Sequence, residues 1–115
     1  TYADQGVHLD EAALLINRAL ALRPDDGYIM DSLGWVCYKQ GKVKEGLAWI
    51  QKAVGRVPND PIILEHLGEL YLKENQRDQA RDAWSRSLKI DAHNEKLKAR
   101  LREAGFVDAP SPSGT

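Results

Sequence analysis

The chain has 115 residues, of which 43% are hydrophobic and 29% are charged, a balance typical of one globular domain rather than of a disordered or membrane-spanning segment. Sixteen basic residues are interspersed with seventeen acidic ones, and the net charge of −1 gives no clustered positive surface that would attract nucleic acid phosphates. The single cysteine excludes an intrachain disulfide framework and a multi-cysteine zinc site, and no apolar run reaches the roughly 18–20 residues that direct membrane insertion requires.

The first helix is predicted over residues 9–22, and Thr1–Gln5 is interpreted as the last turn of an earlier helix. The predicted helix has more apolar residues than one face can hold, namely Leu14, Leu15, Ile16, Leu20 and Leu22. We therefore expect another surface to cover it, supplied either by upstream repeats of a longer chain or by a second copy in a dimer.

Four further helices are predicted in two pairs, at residues 27–40, 43–55, 61–74 and 77–90. Asp26 and Asp60 are suited to cap the first helix of each pair, because an aspartate side chain accepts hydrogen bonds from free backbone amides at a helix N-terminus. Gly41 and Asn75 fit the ends of these helices, where the backbone adopts a left-handed conformation. The pairs are therefore predicted to be helical hairpins with short turns.

The last helix is predicted over residues 95–104 and is closed by Gly105. Leu97 and Leu101 form its apolar face, while charged residues occupy the other face, namely Lys96, Lys98, Arg100, Arg102 and Glu103. Such a helix can shield the open end of a stack of helices from water. The segment 106–115, rich in Pro, Ser and Gly, is predicted to be a flexible tail.

The sequence repeats its chemistry every 34 residues. Leu33-Gly34 recurs as Leu67-Gly68 one period later. Other positions at this spacing keep their character: small at Ala12, Gly46 and Ala80, large and apolar at Ile16, Ile50 and Trp84, small again at Ala19, Ala53 and Ser87, and proline at Pro24 and Pro58. Glycine within a helix costs roughly 1 kcal/mol relative to alanine, so its recurrence predicts a close approach between neighbouring helices.

This period and pattern resemble the tetratricopeptide repeat family, whose units combine Trp, Leu-Gly and Tyr in the first helix with Ala and Phe in the second and a closing Pro. The resemblance covers residues 1–92 and implies an all-α, right-handed solenoid of antiparallel helix pairs. It divides the chain into an incomplete repeat at 1–24, full repeats at 25–58 and 59–92, a capping helix at 93–105 and the tail at 106–115. It also implies a non-catalytic scaffold that binds another protein.

In this family the first helices of the repeats line a concave groove in which a segment of the partner binds. Helix periodicity places ten residues of the two first helices along it: Tyr28, Asp31, Trp35, Tyr38, Lys39, Ile62, Glu65, Glu69, Leu72 and Lys73. Chaperone-binding members hold a peptide carboxylate with Lys, Asn and Arg at such positions, whereas Asp31, Glu65 and Glu69 would repel it. The predicted partner segment is therefore basic, or aromatic and apolar, and is anchored by Tyr28, Trp35 and Tyr38.

These residues also have a purely structural interpretation. Trp35 and Tyr38 can pack between neighbouring helices as part of the core. Asp31, Glu65 and Glu69 can form a solvated helix face. Replacement of Trp35 by alanine separates the two cases, because a core residue would lose stability and binding together.

A catalytic or metal site has no support in the sequence. His8, His66 and His93 fall in a predicted loop, a first helix and a turn, and no two of them are spaced as metal ligands on one helix. Cys37 is predicted to be a buried, unreactive thiol, because it lies within the interface of a helix pair. We therefore predict no enzyme activity, no cofactor and no bound metal ion.

Two alternatives to partner binding remain open. One is self-association through the uncovered N-terminal helix. The other is binding of single-stranded RNA, as in a related class of 35-residue helical hairpins, although the 34-residue period and the acidic groove favour protein over nucleic acid. The segment Asp31–Val36 also resembles C-terminal repeats of long bacterial tetratricopeptide proteins. We therefore expect a bacterial, soluble module of the cytoplasm or periplasm, within a parent protein that can carry a membrane anchor.

Overall fold

The computed structural model describes residues 5–106, and every regular element within that range is an α-helix. The six helices are α1 (Gln5–Leu22), α2 (Gly27–Lys39), α3 (Val43–Arg56), α4 (Pro61–Lys73), α5 (Arg77–Ile90) and α6 (Glu95–Glu103). The predicted all-α fold is therefore confirmed. The bounds predicted for the last five helices differ from these by at most one residue. None of the helices in residues 5–106 has the length and apolar character needed to cross a bilayer.

The first helix differs from the sequence prediction at its N-terminal end. α1 already includes Gln5, so His8 is helical rather than part of a loop. Gly6 does not interrupt the helix, because one glycine costs only about 1 kcal/mol and no proline separates Gln5 from Leu9. The rest of the earlier helix predicted at Thr1–Gln5 lies outside the described residues.

The N-termini of three helices are capped at a spacing of 34 residues. The Asp26 and Asp60 carboxylates accept hydrogen bonds of 2.8–3.1 Å from amides in the first turns of α2 and α4. The Asn94 side chain accepts a 3.0 Å bond from the amide of Leu97 in α6. Each cap satisfies backbone donors that have no partner inside the helix. α6 therefore occupies the same position in its repeat unit as α2 and α4.

The same three helices end in left-handed turns. Gly41, Asn75 and Gly105 have φ angles of +88°, +62° and +85°. In each turn the amide of the following residue donates a hydrogen bond of 2.8–2.9 Å to a carbonyl in the last helical turn. This pattern satisfies carbonyls at the helix end and suits glycine or asparagine, which tolerate positive φ.

Glycines allow the paired helices to cross at close range. α2 packs most extensively against α3, and α4 against α5. A Cβ atom on Gly34 would lie 2.5 Å from Cγ1 of Ile50 and 2.7 Å from the carbonyl oxygen of Gly46. A Cβ atom on Gly68 would overlap the indole of Trp84. The recurrent Leu-Gly position is therefore a contact point between helices, where a larger residue has no room.

Two core clusters follow one another along the stack. The first joins α2, α3 and α4 and includes Met30 and Ile50. The second joins α5 and α6 around Trp84 and Leu97. Because α4 contributes to one cluster and packs against the other, the hairpins and α6 form one continuous core.

Phe106 corrects the sequence prediction of a tail that begins at residue 106. Its side chain is 6% exposed, and its ring meets Trp84 edge-on with the ring centroids 5.9 Å apart. The Arg77 guanidinium covers the Phe106 ring at 4.6 Å and donates a 2.7 Å hydrogen bond to the carbonyl of Ala104. Aromatic burial of this kind holds the chain beyond the helix end. Residues 107–115 lie outside the described range.

Candidate functional site

A depression of about 340 Å³ lies between α2, α4 and α6. These helices share one position in the 34-residue repeat, and α2 contacts α4 directly. Aromatic, basic and acidic side chains line the depression: Trp35, Tyr38, Lys39, Glu65, His66, Glu69, Trp84, Lys96, Leu97 and Arg100. Space of this size accommodates one or two side chains of a partner segment.

Aromatic rings form the side of the depression contributed by α2. Trp35 stacks on His66 of α4 with centroids 4.1 Å apart and ring planes 23° apart. Tyr38 meets Trp35 at 4.9 Å with an interplanar angle of 54°. The Lys39 ammonium lies 5.3 Å from the centroids of both Trp35 and Tyr38, within the range of a cation–π interaction. Both rings remain partly exposed.

A buried carboxylate fixes the orientation of His66. Asp31 is 8% exposed, and its Oδ1 and Oδ2 atoms lie 2.9 and 3.1 Å from Nδ1 of His66. An ionised carboxylate only accepts hydrogen bonds, so Nδ1 of His66 carries a proton and donates it. Through His66 this contact also determines the position of the stacked Trp35 ring.

The two glutamates of α4 are bonded to α6. Oε2 of Glu69 accepts a 3.0 Å hydrogen bond from Nη2 of Arg100, whose guanidinium also lies 5.5 Å from the ring of Trp84. The hydrogen bond to Glu69 raises the pKa of Arg100 above its ordinary value. Oε1 of Glu65 accepts a 3.0 Å bond from the side-chain amide of Asn94. The carboxylates of Glu65 and Glu69 therefore both accept hydrogen bonds from side chains of the same protein.

Trp84 connects the depression to the core. Its side chain is fully buried, and its indole Nε1 donates a 2.9 Å hydrogen bond to the carbonyl oxygen of Glu65. A buried indole N–H requires such an acceptor. The bond joins α5 to the backbone of α4 at Glu65, which lines the depression. This side of the depression is therefore held in place by a contact between a buried side chain and the backbone.

Half of the ten residues that the sequence placed in a groove line this depression. They are Trp35, Tyr38, Lys39, Glu65 and Glu69. They come from both predicted helices, so the 34-residue register correctly placed these side chains near one another. Their role in binding stays a prediction.

The other five predicted residues lie elsewhere. Asp31 is buried against His66, and Leu72 packs against the core cluster of α5 and α6. Tyr28 and Ile62 are 57% and 61% exposed near the N-termini of α2 and α4. Lys73 is exposed at the end of α4. Leu72 is covered because α6 and Phe106 extend the core over that side of α4.

Several lining residues were absent from the predicted set. The sequence prediction placed His66 on a first helix without assigning it to the groove, and it gave α6 only the role of a capping helix. The 34-residue shift places Lys96 at the position of Ile62, which the sequence prediction assigned to the groove, and Arg100 at the position of His66, which it did not. Extending the repeat past Ala92 therefore identifies Lys96 as a groove candidate, whereas the role of Arg100 depends on the packing of α6.

Cys37 lies in the α2–α3 interface and is 5% exposed. Desolvation on burial raises the pKa of its thiol, and the negative charge of Glu45 adds to this effect. A buried thiol with a raised pKa is a poor nucleophile. Cys37 therefore belongs to the packing of the helix pair rather than to the depression.

Comparison with known proteins finds relatives that contain tetratricopeptide repeats. A family model described as tetratricopeptide repeat matches residues 2–61. A TPR repeat-containing protein of Pseudomonas aeruginosa is 42% identical over 69 residues, which are 60% of this chain and 12% of that protein. The interferon-induced protein with tetratricopeptide repeats 3 of Mus musculus is 26% identical over 82 residues, 71% of this chain and 20% of that protein. The chain thus spans a fifth or less of these curated relatives. The first match supports the bacterial origin that the sequence indicates.

Proposed function

Because the chain belongs to the tetratricopeptide repeat family, we propose that it is a non-catalytic module that binds a segment of another protein in the depression between α2, α4 and α6. Repeats of this family generally mediate protein–protein interactions. The observation that supports this site most strongly is its aromatic side, where Trp35 and Tyr38 stay partly exposed beside a 340 Å³ space. Trp and Tyr side chains carry much of the binding energy at protein interfaces.

The partner segment presents an aromatic or apolar side chain to Trp35. The Trp35 ring is stacked on His66, which is held in turn by Asp31, so its geometry is set before binding. Preorganisation of this kind reduces the conformational entropy lost on association. A ring or a branched aliphatic group in the depression would extend the existing stack and displace water from its open side.

The charges of the site favour an acidic rather than a basic flank on that segment. Glu69 is paired with Arg100, Asp31 is buried against His66, and the Glu65 carboxylate is bonded to Asn94. Lys39 and Lys96 are exposed at the depression. Each of these carboxylates already accepts a hydrogen bond within the protein, and the two exposed ammonium groups can attract an acidic partner.

The proposal is tested by selecting peptides from a random display library on the immobilised chain and measuring their affinities by isothermal titration calorimetry. We expect the selected peptides to contain an aromatic or branched apolar residue beside Asp or Glu. Trp35→Ala should weaken their binding by at least about tenfold, as expected for a central aromatic contact. Lys39→Glu, at an exposed position, should weaken binding without a loss of folding.

Trp49→Ala is the matched control. Trp49 lies on α3, is partly buried against the first core cluster and does not line the depression. Its replacement removes a side chain of the same size, so it should reduce stability while leaving peptide affinity within about threefold. The proposed site is wrong if peptides bind Trp35→Ala as tightly as the unsubstituted chain, or if both tryptophan variants lose affinity in proportion to stability.

Single-stranded RNA is a poorer fit to this site. The depression offers two exposed ammonium groups, Lys39 and Lys96, whereas binding of single-stranded RNA requires a basic groove that follows several phosphates. Filter binding of mixed-sequence RNA at low salt should therefore give no saturable complex. Saturable binding that Trp35→Ala abolishes would reassign the depression to RNA.

A further inference from the structure

An exposed apolar surface lies on α1, away from the depression. Leu14, Leu15 and Leu22 are 55%, 60% and 84% exposed, values unusual for leucine in a folded domain. Leu14, Arg18 and Leu22 form one row along the helix at four-residue spacing, and Glu11 and Leu15 form the adjacent row. We name these five residues the α1 outer face.

The opposite side of α1 packs against the rest of the protein. Ala12, Ile16 and Ala19 are partly buried, Leu20 packs against the first core cluster, and α1 contacts α2. Ile16 and Arg18 are two residues apart, so their side chains project from nearly opposite sides of the helix. Leu14, Arg18 and Leu22 therefore project away from the packed side of α1, whereas Leu15, four residues before Ala19, lies at its border.

A further repeat stacked on α1 in the same register would leave most of this face open. Leu14 corresponds to Ala48 on α3 and Asp82 on α5, and both are exposed although those helices have neighbours on either side. Leu22 likewise corresponds to Arg56 and Ile90, which are also exposed. Leu15 differs, because its equivalents Trp49 and Ala83 are partly or fully buried.

Two copies of the α1 outer face have complementary charges when they lie antiparallel to each other. Glu11 is three residues before Leu14, and Arg18 is three residues after Leu15. If two α1 helices lie antiparallel about an axis between Leu14 and Leu15, Glu11 of each copy faces Arg18 of the other, and Leu14 faces Leu15. A parallel pair would instead oppose identical charges. Glu11 is 70% exposed and its own-helix contact with His8 is long, at 3.8 Å, so its carboxylate can turn to a partner.

We propose that two copies of the chain associate through α1 as an antiparallel, two-fold symmetric pair. The leucines provide the apolar contact, and the two Glu11–Arg18 ion pairs select the antiparallel direction. The face is separate from the depression, so each copy keeps its binding site open. A partner with two binding segments would then be held by both copies, with the gain in apparent affinity that linked sites provide.

Sedimentation equilibrium of the 115-residue chain tests the association. We expect a concentration-dependent mass that rises from 12.9 kDa towards twice that value. Leu14→Asp, which introduces the residue found at the equivalent exposed position of α5, should keep the chain monomeric with an unchanged helical circular dichroism spectrum. Ile90→Lys is the control for non-specific hydrophobic association, because Ile90 is 46% exposed on α5 and far along the chain from α1. This variant should dimerise like the unsubstituted chain.

Charge exchange tests the antiparallel arrangement separately. Glu11→Arg or Arg18→Glu alone opposes like charges at both contacts and should weaken dimerisation at least about tenfold. The double variant Glu11→Arg with Arg18→Glu restores both ion pairs and should restore the dimer. A monomer at all concentrations, dimerisation of Leu14→Asp, or a double variant as weak as the single ones would overturn the proposal. None of these results bears on peptide binding in the depression.

Discussion

Asp31 on α2 and His66 on α4 are joined by a 2.9 Å hydrogen bond between groups that are 35 positions apart in the sequence. The bond crosses from one helical hairpin to the next, and the same His66 ring stacks on Trp35. One polar contact therefore couples the stacking of the repeats to the aromatic side of the depression.

Loss of this bond should destabilise the fold. His66→Phe keeps a ring against Trp35 but leaves the buried Asp31 carboxylate without its donor, so the free energy of unfolding should fall by about 1–3 kcal/mol. Asp31→Asn keeps an acceptor oxygen for Nδ1 and should cost less than His66→Phe. Urea unfolding followed by circular dichroism measures both. Equal stability of His66→Phe and the unsubstituted chain would show that the bond contributes nothing.

Two helical glycines, one at the close crossing of α4 and α5 and one on the open side of α3, should respond oppositely to substitution by alanine. Gly68→Ala places a Cβ atom inside the Trp84 indole and should cost about 1–3 kcal/mol through overpacking. Gly55→Ala lies in α3 with no atom within 4 Å of the added Cβ, so it should stabilise the protein by about 0.5–1 kcal/mol. Thermal unfolding of the two variants gives the comparison. A stabilising Gly68→Ala would contradict the packing of this hairpin.

Arg100 links the terminal helix to the rest of the stack. Arg100→Met removes the guanidinium near the Trp84 ring and leaves Glu69, whose side chain is 17% exposed, without its partner. Because Arg100 is itself about a third exposed, water moderates the effect, and we expect a loss of about 1–2 kcal/mol. Arg102→Met, at an exposed position two residues on, should change the free energy of unfolding by less than about 0.5 kcal/mol. Equal losses in chemical denaturation would show that the Glu69 contact is not the cause.

The thiol of Cys37 should react slowly in the folded protein. Burial raises its pKa, so at pH 8 a smaller fraction is thiolate than for a free cysteine, and the sulfur is also shielded from reagents. Labelling by iodoacetamide, followed by mass spectrometry, should be slow in buffer and rapid in denaturing urea. As the pH rises, labelling should increase at a higher pH than for a free thiol. Rapid labelling under native conditions would mean that the α2–α3 interface opens.

Features determined by local chemistry were predictable from the sequence. Asp26 and Asp60 cap helices because their side chains reach amides two and three residues on, and Asn75 ends a helix because it tolerates a positive φ. Gly34 and Gly68 were recognised by spacing alone, since the pattern of small and large residues repeats with them. Such features depend on neighbours within one turn or on one repeat period.

The partners inside the groove were not predictable in this way. Asp31, Glu65 and Glu69 have an acidic pattern in the sequence, and their hydrogen-bond partners are residues 29 to 35 positions later. Those contacts depend on how α4 and α6 pack, which helix periodicity alone does not determine. Leu72 shows the same limit, because its burial depends on α6 and Phe106.

The most direct test of the binding site is a two-dimensional NMR titration of the labelled chain with a selected peptide. If the depression is the site, amide shifts should change on α2, α4 and α6, with the indole N–H of Trp35 among the largest changes. Shifts on α1 and α3 should stay near those of the free protein. Changes confined to α1 and α3, with the Trp35 indole signal unmoved, would contradict the account.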